Sequence, residues 1–127
     1  MRKIILTLAA TSVMVLADST TIDATMKLMK QGLERAQSGF VYNDKEELKR
    51  GIETLESSNA IFNNVDVSVF IPNNNKIQVT KNINKNLTKN LKALKKSIAD
   101  EKYSEATKHY AEVVNNCISC HTIIRGW

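Results

Sequence analysis

Tyr103, Ala106, Tyr110, Val113, Cys117, Cys120 and Ile124 follow one another at steps of three or four residues, the spacing of one face of an α-helix. This stripe constrains the fold more than anything else in the sequence, because both cysteines of the chain lie on it. Three other segments repeat the pattern. In the first, Ile22, Met26, Met29, Leu33, Ala36 and Phe40 line up. In the second, Leu48, Ile52, Leu55 and Phe62 do, with Lys45, Glu46, Lys49, Arg50 and Glu53 on the outer face. The third carries Ile77, Leu87, Leu91, Leu94 and Ile98, but its middle, with Asn82, Asn84, Asn86 and Asn90, is polar for a core helix. Gly39 reads as the stop of the first helix, and Asn43 with Glu46 as the N-cap pair opening the second. From Asn63 to Asn75 the helical period breaks: Val65, Val67 and Val69 alternate with polar residues, and Pro72 precedes three asparagines. A long loop with room for a few extended residues is expected there.

Only 4 glycines and 1 proline are present in 127 residues, too few for the many turns of a sandwich or barrel. The expected fold is therefore all-α: an antiparallel four-helix bundle with three connections, one of them long. The formal charge of +5 is modest and points to no nucleic-acid partner. Met1, Arg2 and Lys3 lead into the apolar run Ile4 to Leu16, and Val15-Leu16-Ala17 stands just before Asp18. That is the form of a secretory signal cleaved after Ala17, the run being shorter than the roughly 20 residues of a spanning helix. Residues 1–17 are thus read as a signal peptide and 18–127 as one domain, exported from the reducing cytoplasm and off the membrane once cleaved. An uncleaved signal would tether the same domain.

Cys117-Ile118-Ser119-Cys120-His121 is C-x-x-C-H, the sequence at which two thiols add to the vinyl groups of haem and the adjacent imidazole takes the iron. On a helix the three side chains share a face, so two covalent links and one axial bond can converge on a flat cofactor. Three other uses of the cysteines compete. A disulfide between them would close a tiny loop and constrain the unfolded chain little. A thioredoxin-like pair needs a β-α-β setting. Tetrahedral zinc needs four ligands, and His109 lies about 18 Å from His121 along one unbroken helix. Covalent haem c, one per chain, is the expectation. Its apolar bulk would also add buried area that a small bundle supplies sparingly.

A helical exported chain whose C-x-x-C-H falls in its last helix, close to the C-terminus, resembles the cytochrome c prime family and its low-spin relatives. The resemblance spans the mature chain. Family members place a basic residue four positions after the haem histidine, where Arg125 stands. In the first helix, Ala24-Thr25-Met26-Lys27-Leu28-Met29 is similar to the family segment that sets Met26 at the distal position. Members with leucine there have an open iron that takes NO or CO; the low-spin relatives have methionine as sixth ligand. The chain departs from the family at Ile22, where many members carry an arginine that contacts a haem propionate, and in its asparagine-rich connection.

The resemblance implies a periplasmic monohaem cytochrome that carries single electrons, with cofactor contacts from Cys117, Cys120, His121, Met26 and Arg125 and the iron held by His121 and Met26. It implies redox partner proteins and pairing of two copies through the first two helices. No acid-base constellation suggests an enzyme. Read from the residues alone, Met26 and Met29 fit core filling as well as ligation. Two other readings stand beside the carrier: a gas-binding protein with an open distal site, and a haem-free interaction bundle whose cysteines are structural. His109 is expected to be exposed, and Tyr103 and Tyr110 to pack. The lysines from Lys81 to Lys102 form a solvated face that at most steers an acidic redox partner.

Overall fold

A computed structural model describes residues 19–71 and 74–126. The proposed signal, Pro72 and Trp127 lie outside the described residues. The four helical stripes become four helices, and among the described residues there is no strand: α1 Ser19–Tyr42, α2 Lys45–Asn63, α3 Asn74–Ala99 and α4 Tyr103–Arg125. The segment between α2 and α3 holds one 3₁₀ turn, Val67–Val69, in place of the extended residues expected. Asp66 opens it by accepting from the Ser68 amide, and Val67 and Ile71 turn into the core while Val69 stays exposed. None of the described helices is long and apolar enough to cross a membrane.

The hinge between α1 and α2 differs from its expected chemistry by one residue and one role. Asn43 is not the N-cap; it sits in the left-handed region at φ 54° and ends α1. The Asp44 amide reaches back to the Gly39 carbonyl at 2.9 Å, the hydrogen bond of a Schellman ending. Asp44 itself caps α2, its carboxylate accepting from the Glu47 amide at 2.9 Å. Gly39, expected as a stop, lies inside α1 because α2 crosses there: a Cβ on it would stand 2.5 Å from the Leu48 backbone nitrogen. Gly51 of α2 faces Ala36 in the same way, at 2.4 Å from its nitrogen, and Gly32 faces Leu55. Small residues at these crossings let the two backbones close together.

The same ending recurs between α3 and α4. Glu101 takes φ 57°, the Lys102 amide bonds the Ser97 carbonyl at 2.8 Å, and Lys45 of α2 pairs with the Glu101 carboxylate at 3.0 Å. The core is built from the expected stripes. Ala36, Leu48, Ile52, Leu55, Phe62, Leu87, Leu91, Leu94, Ala106 and Val113 are all buried, and Met29 with them. The polar middle of α3 is explained by its neighbours. Asn59 of α2 donates to Thr88 at 2.9 Å, Asn84 donates to Asn63, and Asn90 donates to Asn116 of α4 at 2.9 Å. These amides tie α3 to the helices on either side where hydrocarbon would otherwise have to match.

Candidate cofactor site

α1 and α4 meet at one end of the bundle through side chains. The Tyr110 hydroxyl donates to the Leu33 carbonyl at 3.1 Å, and the Tyr110 and Phe40 rings lie 5.5 Å apart. Two turns further along α4, Cys117, Cys120 and His121 are all half-buried on the same side of the helix. They face a cavity of about 470 Å³, which also has Met26, Met29, Leu33, Phe62 and Leu87 in its walls. A second cavity of about 440 Å³ adjoins it, bounded by Ile22, Val69, Phe70 and Ile124. Met26, Phe62, Cys120, His121 and Arg125 belong to both. The five residues named from sequence as cofactor contacts, Met26, Cys117, Cys120, His121 and Arg125, therefore line one connected space.

The two methionines of α1 differ there. Met29 is 7% exposed and borders only the larger cavity, packed as a core residue; Met26 is less covered and borders both. His109, expected exposed, is half-buried and lines neither cavity. Sequence reasoning missed Phe70, Ile83 and Val114 as walls. Val114 directly follows Val113 and Ile83 lies four residues before Leu87, so both carried a helical signal, but Phe70 had no periodic signal because it belongs to the irregular connection.

Electrostatics separate the uses open to the cysteines. Burial, and next the neighbouring Cys120, push the Cys117 thiol up to about 11, and burial raises Cys120 as well. A redox or nucleophilic cysteine needs the reverse, an electropositive setting that favours thiolate. Burial first, then the charge of Arg125, hold the His121 imidazole below its ordinary value, which favours the neutral, ligating form. The thiols are not joined to one another. Among the described residues no three His, Cys, Asp or Glu side chains are gathered so as to hold a bare metal ion. The donor set instead suits a metal that arrives with most of its ligands. Two thiols and an imidazole on one wall, a thioether on another and hydrocarbon between them fit a haem, in a space within the usual range for small-molecule and cofactor sites.

Comparisons with models of known protein families, with curated proteins and with solved structures gave no match to the chain.

Proposed function

We propose that the chain is an exported, periplasmic monohaem c-type cytochrome that carries single electrons, built as an antiparallel four-helix bundle around haem c. One observation carries this reading: Cys117, Cys120 and His121 of α4 and Met26 of α1 line one apolar cavity. The haem, when bound, supplies an iron that changes oxidation state by one electron.

The protein's own residues do the rest. Cys117 and Cys120 anchor the cofactor through two thioethers, so it cannot leave in either oxidation state. His121 offers its imidazole as proximal ligand, and the low basicity imposed by burial keeps that nitrogen free of a proton. Met26 offers a soft thioether, which favours the reduced iron and raises the potential. Phe62, Leu33 and Leu87 keep water from the cavity walls. Arg125, at the mouth of both cavities, supplies a cation for a haem propionate where Ile22 cannot. Two protein ligands held on separate rigid helices leave little to rearrange on reduction, which suits a carrier.

The optical spectrum of the matured protein, ferric and then ferrous, with and without CO, tests the reading. Sharp low-spin bands, a far-red sulfur-to-iron charge-transfer band and indifference to CO are expected. Broad high-spin bands with prompt CO binding would transfer the function to gas binding and return Met26 to the core. A colourless product from cells competent for c-type maturation would leave a haem-free interaction bundle.

A further inference from the structure

α3 carries seven lysines and neither Asp nor Glu from Asn74 to Ala99, so the positive charge of the chain is concentrated on one helix. Two of these lysines are spoken for. Lys95 pairs with Glu56 at 2.7 Å, and Lys96 pairs with Asp100. Lys81, Lys85, Lys89 and Lys92 are different: they recur at steps of four, four and three along one face, all are exposed, and none makes an ion pair among the described residues. They line an open groove of about 670 Å³ that has Asn63, Asn84 and Thr88 as its other walls and no carboxylate. Asp66 stands near its end. That carboxylate is held below its ordinary range first by hydrogen bonding to Ser68 and only least by Lys81.

Asn84 is a wall of this groove and of the cavity lined by Cys117 and His121. Four cations outside any described ion pair therefore stand one side chain away from the cofactor site. Like charges held this close repel one another, and an anionic partner relieves the repulsion while it binds. We propose that the Lys81–Lys85–Lys89–Lys92 row is the docking face for a carboxylate-rich protein redox partner, which it brings against the Asn84 wall of the cavity. The assignment of a redox role to that partner rests on the electron-carrier reading above.

The chemistry of the row selects among anions. Lysine is a hydrated point charge without the planar fork that grips phosphate in two places, and the row contains no arginine. It steers partners at long range and releases them easily, as a carrier that must bind and leave requires. A single-stranded nucleic acid would call for aromatic platforms, and α3 has no Phe, Tyr or Trp. A lipid surface would call for apolar side chains beside the cations, but Leu87, Leu91 and Leu94 are turned into the bundle.

The test uses the full matured chain, the double reversal Lys81→Glu/Lys85→Glu, and a control reversal of two exposed lysines outside the groove, Lys49→Glu/Lys108→Glu. The first readout needs no haem: binding to poly-L-glutamate at low salt. We expect the groove reversal to weaken it about tenfold or more and the control by less than about twofold, both differences collapsing as salt shortens the Debye length. The second readout is oxidation of the ferrous protein by anionic ferricyanide and by cationic tris(phenanthroline)cobalt. Here the groove reversal should slow the anionic reagent roughly fivefold or more and not slow the cationic one. Equal effects of the two reversals would overturn the proposal, as would tighter binding of duplex DNA or of phosphatidylserine vesicles than of poly-L-glutamate at the same salt. If the groove reversal abolishes poly-L-glutamate binding by a protein that carries no haem, the acid-binding face stands and the carrier reading is what fails.

Discussion

Along α4, Ala106 and Val113 are fully covered by protein, whereas Cys117, Cys120, His121 and Ile124, one to three turns later on the same stripe, are half-exposed along a cavity. The difference arises in the helices opposite. Near the α1–α2 hinge, Gly39, Ala36 and Gly51 draw α1 and α2 together, and Phe40 and Tyr110 close the gap to α4. Towards the other end the residues opposite are Met26, Met29, Leu33 and Phe62, and amide contacts from Asn84 and Asn90 join the buried leucines in binding α3 to its neighbours. One end is closed by small residues in backbone contact. The other is held open by large side chains and polar ties, and the three residues of the C-x-x-C-H motif that carry its chemistry all face that opening.

If the open end is a haem site, the largest effect belongs to the cysteines. Cys117→Ala/Cys120→Ala is expected to yield protein with no covalently attached haem, read directly from the intact mass after expression in cells competent for c-type maturation. Retention of the haem mass by that variant would mean that the open end does not hold haem through these cysteines. Next comes Met26→Leu, which keeps volume nearly constant and removes the sulfur. It should convert low-spin spectra to high-spin spectra and confer CO binding, while Met29→Leu, at a site with a wall in only one cavity, should leave the spectra as they were. Unchanged low-spin spectra in Met26→Leu would remove that residue from the iron.

The closed end should answer to volume instead. In Gly51→Ala the new Cβ would meet the Ala36 backbone 2.4 Å away, so two helices must separate. Alanine gains about 1 kcal/mol of helix propensity. The forced separation outweighs it, for a net loss of about 2–3 kcal/mol and a fall in Tm of roughly 10–15 °C. Thermal unfolding measures this, and a Tm equal to the parent's would mean that the crossing is looser than its geometry. The haem spectra should not change, since the substitution lies outside the cavity walls.

A pH series separates the ends again. In the haem-free chain the Cys117 thiol is held up to about 11, above its value in the unfolded chain, so the native state keeps the proton longer. Stability is full below about pH 9 and is lost as pH rises towards 11, by roughly 2–3 kcal/mol at 1.36 kcal/mol for each unit. Denaturant unfolding of the haem-free chain against its Cys117→Ala variant isolates this loss. The haem-loaded protein should lack it, because a thioether has no proton to lose. His121 has the opposite sign. Its lowered value makes the unfolded state the stronger proton binder, so stability present above the ordinary histidine range declines as pH falls through it. An alkaline loss that persists after haem attachment would show that Cys117 is not its source.

Much of this was legible in the sequence. The period of the apolar residues located four helices, and the α4 stripe put Cys117, Cys120 and His121 on one side before any contact was known. What pattern alone does not carry is how close two faces approach. Gly39 resembles a helix stop in sequence but serves as a crossing point, because its meaning depends on Leu48 of another helix. Asn84 and Asn90 of α3 look misplaced until Asn63 and Asn116 stand opposite them. Phe70 enters the site from a connection with no period to read. The cavity is likewise a property of what surrounds the α4 stripe, and the stripe is just as apolar where it is fully packed.

The smallest expected effect probes the junction between the two ends. Tyr110 lies between Ala106 and Val113 on the covered part of the α4 stripe, and its hydroxyl donates to the Leu33 carbonyl, which belongs to a residue lining the cavity. Burial, and secondarily Cys117, raise the pKa of that hydroxyl, which favours its protonated, donating form. Tyr110→Phe keeps the ring against Phe40 and removes only the hydrogen bond. A helical carbonyl already has an acceptor role within α1, so losing the extra donor should cost about 1 kcal/mol, measured by denaturant unfolding, with the Met26-dependent spectral features intact. Should those features shift as well, the closed end would be setting the position of α1 over the cavity, and the two ends would have to be treated as one mechanical unit.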